Sequence, residues 1–456
     1  MMAHTHKQDR GARHAARRAV IVGLGRTGLS CARFLHARGV PLAITDSRPT
    51  PPELRNLGTL AQRVELRLGA FDTGLLEGAS QIVVSPGVSL REPLVQEAVA
   101  RGIEVLGDIE LFAREANAPV VAITGTNGKS TVTTLVAQMA QRAGRRVRAG
   151  GNLGEPALEL LETPAPDCYV LELSSFQLET TSSLRTVAAT VLNVTADHMD
   201  RYSTLAEYAA AKARIFERCT HAVVNLDDEV VRAMPLPGQH VIGFSIEPGR
   251  RCDYGIVPDT NGRPSLAHGG TPLLALADMK LTGMHNAANA LAALALGEAA
   301  GLPRVPMLEV LREFVGLPHR MQWVADRRGI RWINDSKGTN VGATLAAVGG
   351  MQGPLVLIAG GDGKNQDFSP LRAAFRGKVR HAVLIGRDAS QVEAAIAGVC
   401  TIEHAATLVA AVNAAAAAAQ PGETVLLSPA CASLDMFRDY THRGTVFADA
   451  VKGLAP

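Results

Sequence analysis

The sequence predicts an α/β protein whose mainly parallel sheets are covered by helices and divided among three blocks. Short β-branched apolar runs alternate with helix-compatible segments through most of the chain. Two glycine-rich turns, Gly23–Gly28 and Gly125–Gly128, each join such a run to a helical segment. At 456 residues the chain suits two to four domains, each able to bury its own core.

The first 18 residues hold Lys7, Arg10, Arg13, Arg17 and Arg18 among histidines and lack an apolar run. They read as a basic, disordered, solvated tail rather than a targeting signal. The first block starts with a strand at Ala19–Val22, includes a second at Leu42–Thr45, and reaches Ile82–Val84 before Ser85-Pro86-Gly87. Gly23, Gly25 and Gly28 follow the first strand, and Asp46 ends the next, 21 residues after Gly25. That spacing places a diphosphate on a helix N-terminus and a carboxylate near a ribose. NAD, FAD or a UDP-sugar would each satisfy it, and a tightly packed turn without ligand is the plain alternative.

The second block starts near Gly107. Val120–Ile123 reads as a buried strand, Gly125-Thr126-Asn127-Gly128-Lys129 as a turn, and Ser130–Met139 as a helix. Backbone N–H groups, the helix dipole and the Lys129 charge together make a cradle for a nucleoside triphosphate, with Ser130 or Thr131 placed for Mg²⁺. The strict P-loop pattern has a glycine where this chain has Ile123, so the loop is a variant. Glu172 ends another apolar strand, where an acid either holds Mg²⁺ or caps the next turn. His198, among Asn193, Asp197 and Asp200, is a candidate metal ligand or substrate contact, against the commoner structural histidine. Lys212, on an alanine-rich segment, reads from the residues alone as a solvated surface lysine. From Phe244 to Lys280, glycine, proline and polar residues point to short strands and turns.

The third block opens near Gly316-Leu317-Pro318, with strands at Leu355–Ala359, Ala382–Ile385 and Val425–Leu427. Asn334–Asn340 and Gly360–Lys364 are strand-end loops, where α/β sheets place ligands, so Lys337 or Lys364 is positioned to pair with a carboxylate substrate. The run Ala414–Ala419 reads as a helix interior.

Composition narrows the function classes. The chain is 47% hydrophobic and 20% charged, as soluble globular proteins are, and its net charge of +3 argues against a nucleic-acid partner. No apolar stretch reaches the roughly 20 residues needed to span a bilayer. The six cysteines are scattered without a CxxC pair, fitting reduced thiols in cytoplasm.

Together these residues closely resemble the Mur ligases of bacterial peptidoglycan synthesis, and among them the branch that adds D-glutamate. The resemblance runs from Ala19 to the C-terminus. It is carried by Gly23–Gly28, Ser85–Gly87, Gly107–Phe112, Gly125–Thr131, Leu171–Thr180, Asn193–Tyr202, Lys280–Asn289, Gly316–Arg320, Asn334–Asn340 and Leu427–Asp435. It implies three domains: a Rossmann-like UDP-binding domain at 19–107, a central P-loop ATPase-like domain at 108–316, and a C-terminal Rossmann-like amino-acid-binding domain at 317–456. It implies an ATP-dependent amide-bond-forming ligase, working as a monomer in the cytoplasm on UDP-N-acetylmuramoyl-L-alanine and D-glutamate, with an acyl phosphate as intermediate.

Site residues follow from the same resemblance. Asp46, Ser47 and Arg48 would face the uracil, Arg26, Thr27 and Gly87 the diphosphate, and Asn152, Ser174 and Gln177 the muramoyl-alanine. ATP would lie on Gly125, Thr126, Asn127, Gly128, Lys129, Ser130 and Thr131, with Asn286, Asn289, Arg320 and Asp335 around it. Two Mg²⁺ ions would be held by Ser130 and Glu172 on one side and His198 on the other. Lys212 matches a position that the family carbamylates, which turns an ammonium into a metal-compatible carboxylate. Lys129, His198 and Lys212 would thus be catalytic, and Lys337, Thr339, Lys364, Ser433 and Leu434 would meet D-glutamate. Water would hydrolyse an acyl phosphate, so the third domain is expected to close over the site.

Two positions depart from the family pattern: Arg26 stands where an aliphatic residue is common, and Tyr440 where phenylalanine is familiar. The rival readings are a relative adding another amino acid, a folylpolyglutamate synthase-like enzyme, an NAD-dependent dehydrogenase built on the first block, and a non-catalytic nucleotide-binding module. The glycine fingerprint of the first block disfavours the folate reading, and the dehydrogenase reading leaves the Lys129 cradle unexplained.

Overall fold

A computed structural model of the protein describes residues 18–161, 163–281, 283–351 and 353–454. Apart from Arg18, the basic tail lies outside the described residues.

The chain forms three sheets, one after another. The first comprises β1 (Arg18–Val22), β2 (Leu42–Asp46), β3 (Glu65–Leu68), β4 (Ala79–Val84) and β5 (Glu104–Leu106), all parallel, in the order β3-β2-β1-β4-β5. Val20, Ile21 and Val22 are fully buried, as a strand covered on both faces requires. Strand order reverses between β1 and β4, which opens a crevice at the carboxyl end of β1 where the first glycine turn sits.

The second sheet holds β6 (Val120–Thr124), β7 (Val147–Gly151), β8 (Cys168–Glu172), β9 (Thr186–Val191), β10 (Cys219–Asn225), β11 (His240–Phe244), β12 (Tyr254–Pro258), β13 (Pro264–His268) and β14 (Thr271–Ala275). Their order is β14-β13-β12-β11-β10-β9-β6-β8-β7, parallel as far as β12, with β12 to β14 an antiparallel wing. That wing is the turn-rich stretch expected between Phe244 and Lys280. Central β6 is flanked by β8 and β9, so its carboxyl end is surrounded by loops. Helix Met284–Ala299 packs beside helix Lys129–Arg142, with Leu291, Leu294 and Leu296 fully buried. Burying each such leucine contributes roughly 1.5–3 kcal/mol, which fixes the position of the helix that follows the cradle.

The third sheet runs β15-β16-β20-β17-β18-β19, from β15 (Gln322–Arg327), β16 (Ile330–Asn334), β17 (Leu355–Gly360), β18 (Val379–Ile385), β19 (Thr401–His404) and β20 (Thr424–Leu427). Only the β15–β16 hairpin is antiparallel. The loops after β16, β17 and β20 leave neighbouring strand ends and so converge. The alanine run differs from expectation: helix Leu408–Ala418 ends within it, and Ala419 is extended at ψ 147°. The run forms the last turn, where alanine propensity yields to Pro421 two residues beyond.

Candidate active site

The turn after β6 has the geometry of a phosphate cradle. Gly125 and Gly128 have φ of 147° and 86°, conformations that favour glycine. A Cβ on Gly128 would stand 2.5 Å from Asn289 Oδ1, so the loop and helix Met284–Ala299 meet at van der Waals distance. The Asn193 carboxamide accepts from the Asn127 N–H at 2.8 Å and donates to the Asn127 carbonyl at 3.1 Å, while the Asn193 carbonyl accepts from Thr126 N–H at 2.9 Å. These three bonds preform the loop. Helix Lys129–Arg142 has no side-chain cap, which leaves its first N–H groups for a ligand. Lys129 Nζ folds back on the carbonyls of Gly125 and Thr126, at 2.8 and 2.9 Å. Burial lowers its pKa, against the pull of Glu172 and Asp197.

Glu172 accepts from Ser130 Oγ and from Asn152 Nδ2, both at 2.7 Å. Burial opposes its ionisation, but Lys129, Lys337 and the hydrogen bonds from Ser130 and Asn152 together outweigh it and hold its pKa below the usual value. Glu172 does not cap the next helix: Ser174 does, through a capping box with Gln177. His198 has φ 58° and stands edge-on to Phe176, with ring centroids 4.9 Å apart. Burial lowers its pKa to about 4 despite Asp197 nearby, so the imidazole is neutral and free to ligate.

Lys212 corrects the residue-level expectation of a solvated lysine. It is only 1% exposed; its Nζ bonds the Gly125 carbonyl at 3.0 Å and lies 4.4 Å from the Tyr208 ring centroid. Burial, and then the charge of Lys129, push its pKa well below normal. Thr131 Oγ1 is buried with no partner. Among the described residues no three His, Cys, Asp or Glu side chains converge as a closed metal cage. A hydroxyl and a carboxylate at a phosphate cradle suit Mg²⁺, which keeps water and phosphate as ligands, better than zinc.

Beside the cradle lies a cavity of about 240 Å³ bordered by Asn127, Gly128, Thr131, Asn286, Asn289, Arg320 and Asp335. Phe244, His285 and Leu317 also border it, so the linker into the third lobe forms part of its wall. Asp335 accepts from Ser428 Oγ at 2.9 Å and from Met321 N–H at 3.2 Å. Burial raises its pKa to about 6, against Arg320.

A second cavity, about 630 Å³, opens between the first and central lobes and is lined by Arg26, Thr27, Asp46, Ser47, Arg48, Gly87, Asn152 and Gln177. Asp46 is buried and already engaged: it accepts from Leu24 N–H at 2.7 Å, Arg48 N–H at 2.9 Å, and the Arg48 guanidinium at 2.8 and 2.7 Å. It therefore braces the glycine turn and leaves Arg48 at the cavity edge. Arg26 reaches across the lobes to the Gly154 carbonyl at 2.9 Å. Ser174, engaged as a cap, is not on the cavity wall. Gln177 is: its Nε2 donates to Asp108 Oδ2 at 2.9 Å, and its Oε1 accepts from Ser174 N–H at 3.0 Å.

The third lobe reaches the cradle directly. Lys337 Nζ bonds Ser130 Oγ and lies 5.1 Å from the Tyr440 ring centroid. Burial lowers its pKa to about 8, helped by Arg320. Lys364 forms an ion pair with Asp197, which also accepts from Asn340 Nδ2 at 3.0 Å. Thr339 follows in the same loop, its N–H bonding the Lys337 carbonyl at 2.9 Å. Ser433 is buried and Leu434 is 70% exposed, beside the Asp362–Ala432 bridge; neither borders the two cavities.

Several contributors carried little sequence signal. Arg443, fully buried on helix Tyr440–Lys452, donates to Ser336 Oγ at 3.0 Å, Ser336 O at 2.7 Å, Cys431 O at 3.1 Å and Ala432 O at 3.3 Å. It staples the loop after β16 to the loop after β20. Asn340 and Arg201 lie within segments the sequence marked, but nothing in those segments signalled that either reaches into another lobe. Asn193 and Asp197 stand in the polar cluster around His198, which was the available clue.

Comparison with known proteins agrees with this architecture. Residues 17–107 match the "Mur ligase MurD-like, N-terminal domain", 123–297 the "Mur ligase middle domain", and 319–431 the "Mur ligase, glutamate ligase domain". UDP-N-acetylmuramoylalanine–D-glutamate ligase of Nitrosococcus oceani is 53% identical over 95% of this chain and 96% of its own. The Pseudomonas putida enzyme of the same name is 51% identical, over 96% and 97%. Among solved structures, UDP-N-acetylmuramate–alanine ligase MurC of Thermotoga maritima aligns with TM-score 0.61 at 17% identity, covering 95% of this chain and 99% of that one. A pseudomurein peptide ligase of Methanothermus fervidus aligns with TM-score 0.61 at 18% identity, covering 90% and 96%. At these identities the two structures speak for the fold alone.

Proposed function

The chain belongs to the Mur ligase family, and from that premise we propose how its residues share the joining of D-glutamate to UDP-N-acetylmuramoyl-L-alanine. It is an ATP- and Mg²⁺-dependent ligase of peptidoglycan precursor synthesis.

In our reading residues 19–107 take the UDP end, 108–316 take ATP, and 317–456 take D-glutamate. One observation carries it: Ser130, Glu172, Lys129 and Lys212 all meet at the Gly125–Thr131 cradle, and Lys337 enters from the third lobe. Gly125–Thr131 would wrap the triphosphate, with Asn286, Asn289, Arg320 and Asp335 around the rest of the nucleotide. Asp46, Ser47 and Arg48 would border the uracil, and Arg26, Thr27 and Gly87 the diphosphate. Asn152 and Gln177 would hold the muramoyl-alanine, with Ser174 acting through Gln177.

Two Mg²⁺ ions would be held by Ser130 and Glu172 on one side and by His198 and a carbamylated Lys212 on the other. Bound there, they would offset the charge repulsion between ATP and an anionic substrate. Lys129 would move from the Gly125 and Thr126 carbonyls onto the transferring phosphoryl, stabilising its charge. The alanyl carboxylate would accept that phosphoryl, forming an acyl phosphate and releasing ADP. The D-glutamate amine would then attack the acyl carbon and expel phosphate. Lys337, Thr339, Lys364 and Ser433 would hold its carboxylates, with Leu434 at the pocket edge.

We read the enzyme as a cytoplasmic monomer. No described helix is long and apolar enough to cross a membrane. The test is phosphate release from ATP with UDP-N-acetylmuramoyl-L-alanine, scanned across D-glutamate, L-lysine and diaminopimelate. Release with D-glutamate alone is expected; release with another amino acid alone would overturn the assignment.

A further inference from the structure

Arg201 is a cation in the 630 Å³ cavity that the reading above leaves without a task. It follows the His198 segment of the central lobe, yet its guanidinium reaches into the first lobe. There it touches the carbonyls of Pro86 and Gly87 at 3.4 Å and of Val88 at 3.2 Å. Charge-assisted bonds are ordinarily near 2.7–2.9 Å, so these are long, weak contacts. Its other face lies 4.3 Å from the Phe176 ring centroid.

The other cavity cations are placed differently. Arg48 is committed to Asp46 by an ion pair at 2.7 Å, and Arg26 to the Gly154 carbonyl. Arg201 forms no ion pair with a carboxylate among the described residues, and Glu179 feels its charge only from beyond ion-pair range. A planar, permanently charged group resting on weak carbonyl contacts inside an anion-binding cavity is poised to exchange them for phosphate oxygens.

We propose that Arg201 binds the diphosphate of the UDP-substrate, giving up its carbonyl contacts on Pro86, Gly87 and Val88 in exchange. This rests on the assignment of that cavity to a UDP-linked substrate. Phe176, on which Arg201 lies, packs edge-on against His198 at 4.9 Å and stacks with Tyr202 at 5.8 Å.

Calorimetric titration of the full-length enzyme tests this, with UDP-N-acetylmuramoyl-L-alanine, UDP and ATP as separate ligands. Arg201→Met keeps the apolar stem and removes the charge. It is expected to weaken both UDP ligands about tenfold, the worth of one charged hydrogen bond, and to leave ATP affinity within about twofold. Arg201→Lys, with charge but no planar fork, is expected to fall between. Unchanged UDP affinity in Arg201→Met overturns the proposal, as does equal weakening of ATP. Should Arg201→Met not fold, Arg201→Lys decides: UDP affinity equal to wild type overturns the proposal. Wild-type protein that ignores both UDP ligands would instead overturn the substrate assignment, and this proposal with it.

Discussion

Lys129 and Lys212 share one acceptor: both side-chain nitrogens bond the Gly125 carbonyl oxygen, at 2.8 and 3.0 Å. Two ammonium groups held so close and so deeply buried repel each other. The relief falls on Lys212, whose pKa burial and Lys129 drive far down. A neutral amine is the form that reacts with carbon dioxide. Enzyme equilibrated with ¹³C-bicarbonate should show a carbamate carbon resonance that Lys212→Ala lacks. That variant should lose about a hundredfold or more in kcat and regain part of it with short-chain carboxylic acids. Fully active enzyme without the resonance would sink the idea.

Gly128 has no room for a side chain. Alanine there would meet Asn289 Oδ1 at 2.5 Å and would sit at φ 86°. Gly128→Ala should weaken ATP binding about five- to 150-fold through loop distortion of roughly 1–3 kcal/mol. Binding of the UDP-substrate, which we assign to the other cavity, should stay near wild type. Separate titrations of the two ligands check this, and intact ATP affinity would contradict it.

Lys337 titrates near pH 8 in the free enzyme, because burial and Arg320 disfavour its ammonium form. A carboxylate ligand should bind below that pH and lose its partner above it. Glutarate isolates the effect, since it keeps both carboxylates and has no amine to titrate. Its inhibition constant against D-glutamate should rise above about pH 8, and Lys337→Arg should abolish that rise. A flat wild-type profile from pH 7 to pH 9.5 would remove Lys337 from the carboxylate pocket.

Asp108 is buried, holds Gln177 Nε2, and leaves Oδ1 without a partner. Burial raises its pKa from 3.8 to about 6. Below pH 3.8 the carboxyl is protonated whether folded or unfolded, so burial costs little. Above about 6 it is ionised in both states, and folding bears the full desolvation cost. Asp108→Asn should therefore gain stability relative to wild type as pH rises from 4 to 6, by about 3 kcal/mol at most. Chemical denaturation at both pH values checks it; a constant difference would refute the buried-charge account.

The parts of the site visible in the sequence were those where backbone form and chemistry coincide. Gly23–Gly28 and Gly125–Thr131 advertise both a turn and a ligand, and Glu172 marks a strand end. Lys212 was invisible because alanines surround it on its helix, giving no apolar face by which burial could be read. Asp46 was legible in place, but its pairing with Arg48 and Leu24 was not, since that depends on how the turn folds back. Arg201, Asn340 and Arg443 act across lobes or between distant loops, and spacing along a chain carries no trace of such contacts.

The Arg443 staple bears on how the enzyme chooses its amino acid. One buried guanidinium locks the Ser336 and Cys431–Ala432 loops together, entirely within the third lobe. In the reading proposed above, the two loops that would face the incoming amino acid are therefore held in fixed register with each other by one side chain. Lys337 and Lys364, by contrast, are tied to Ser130 and Asp197 of the central lobe, so their placement depends on how the lobes meet.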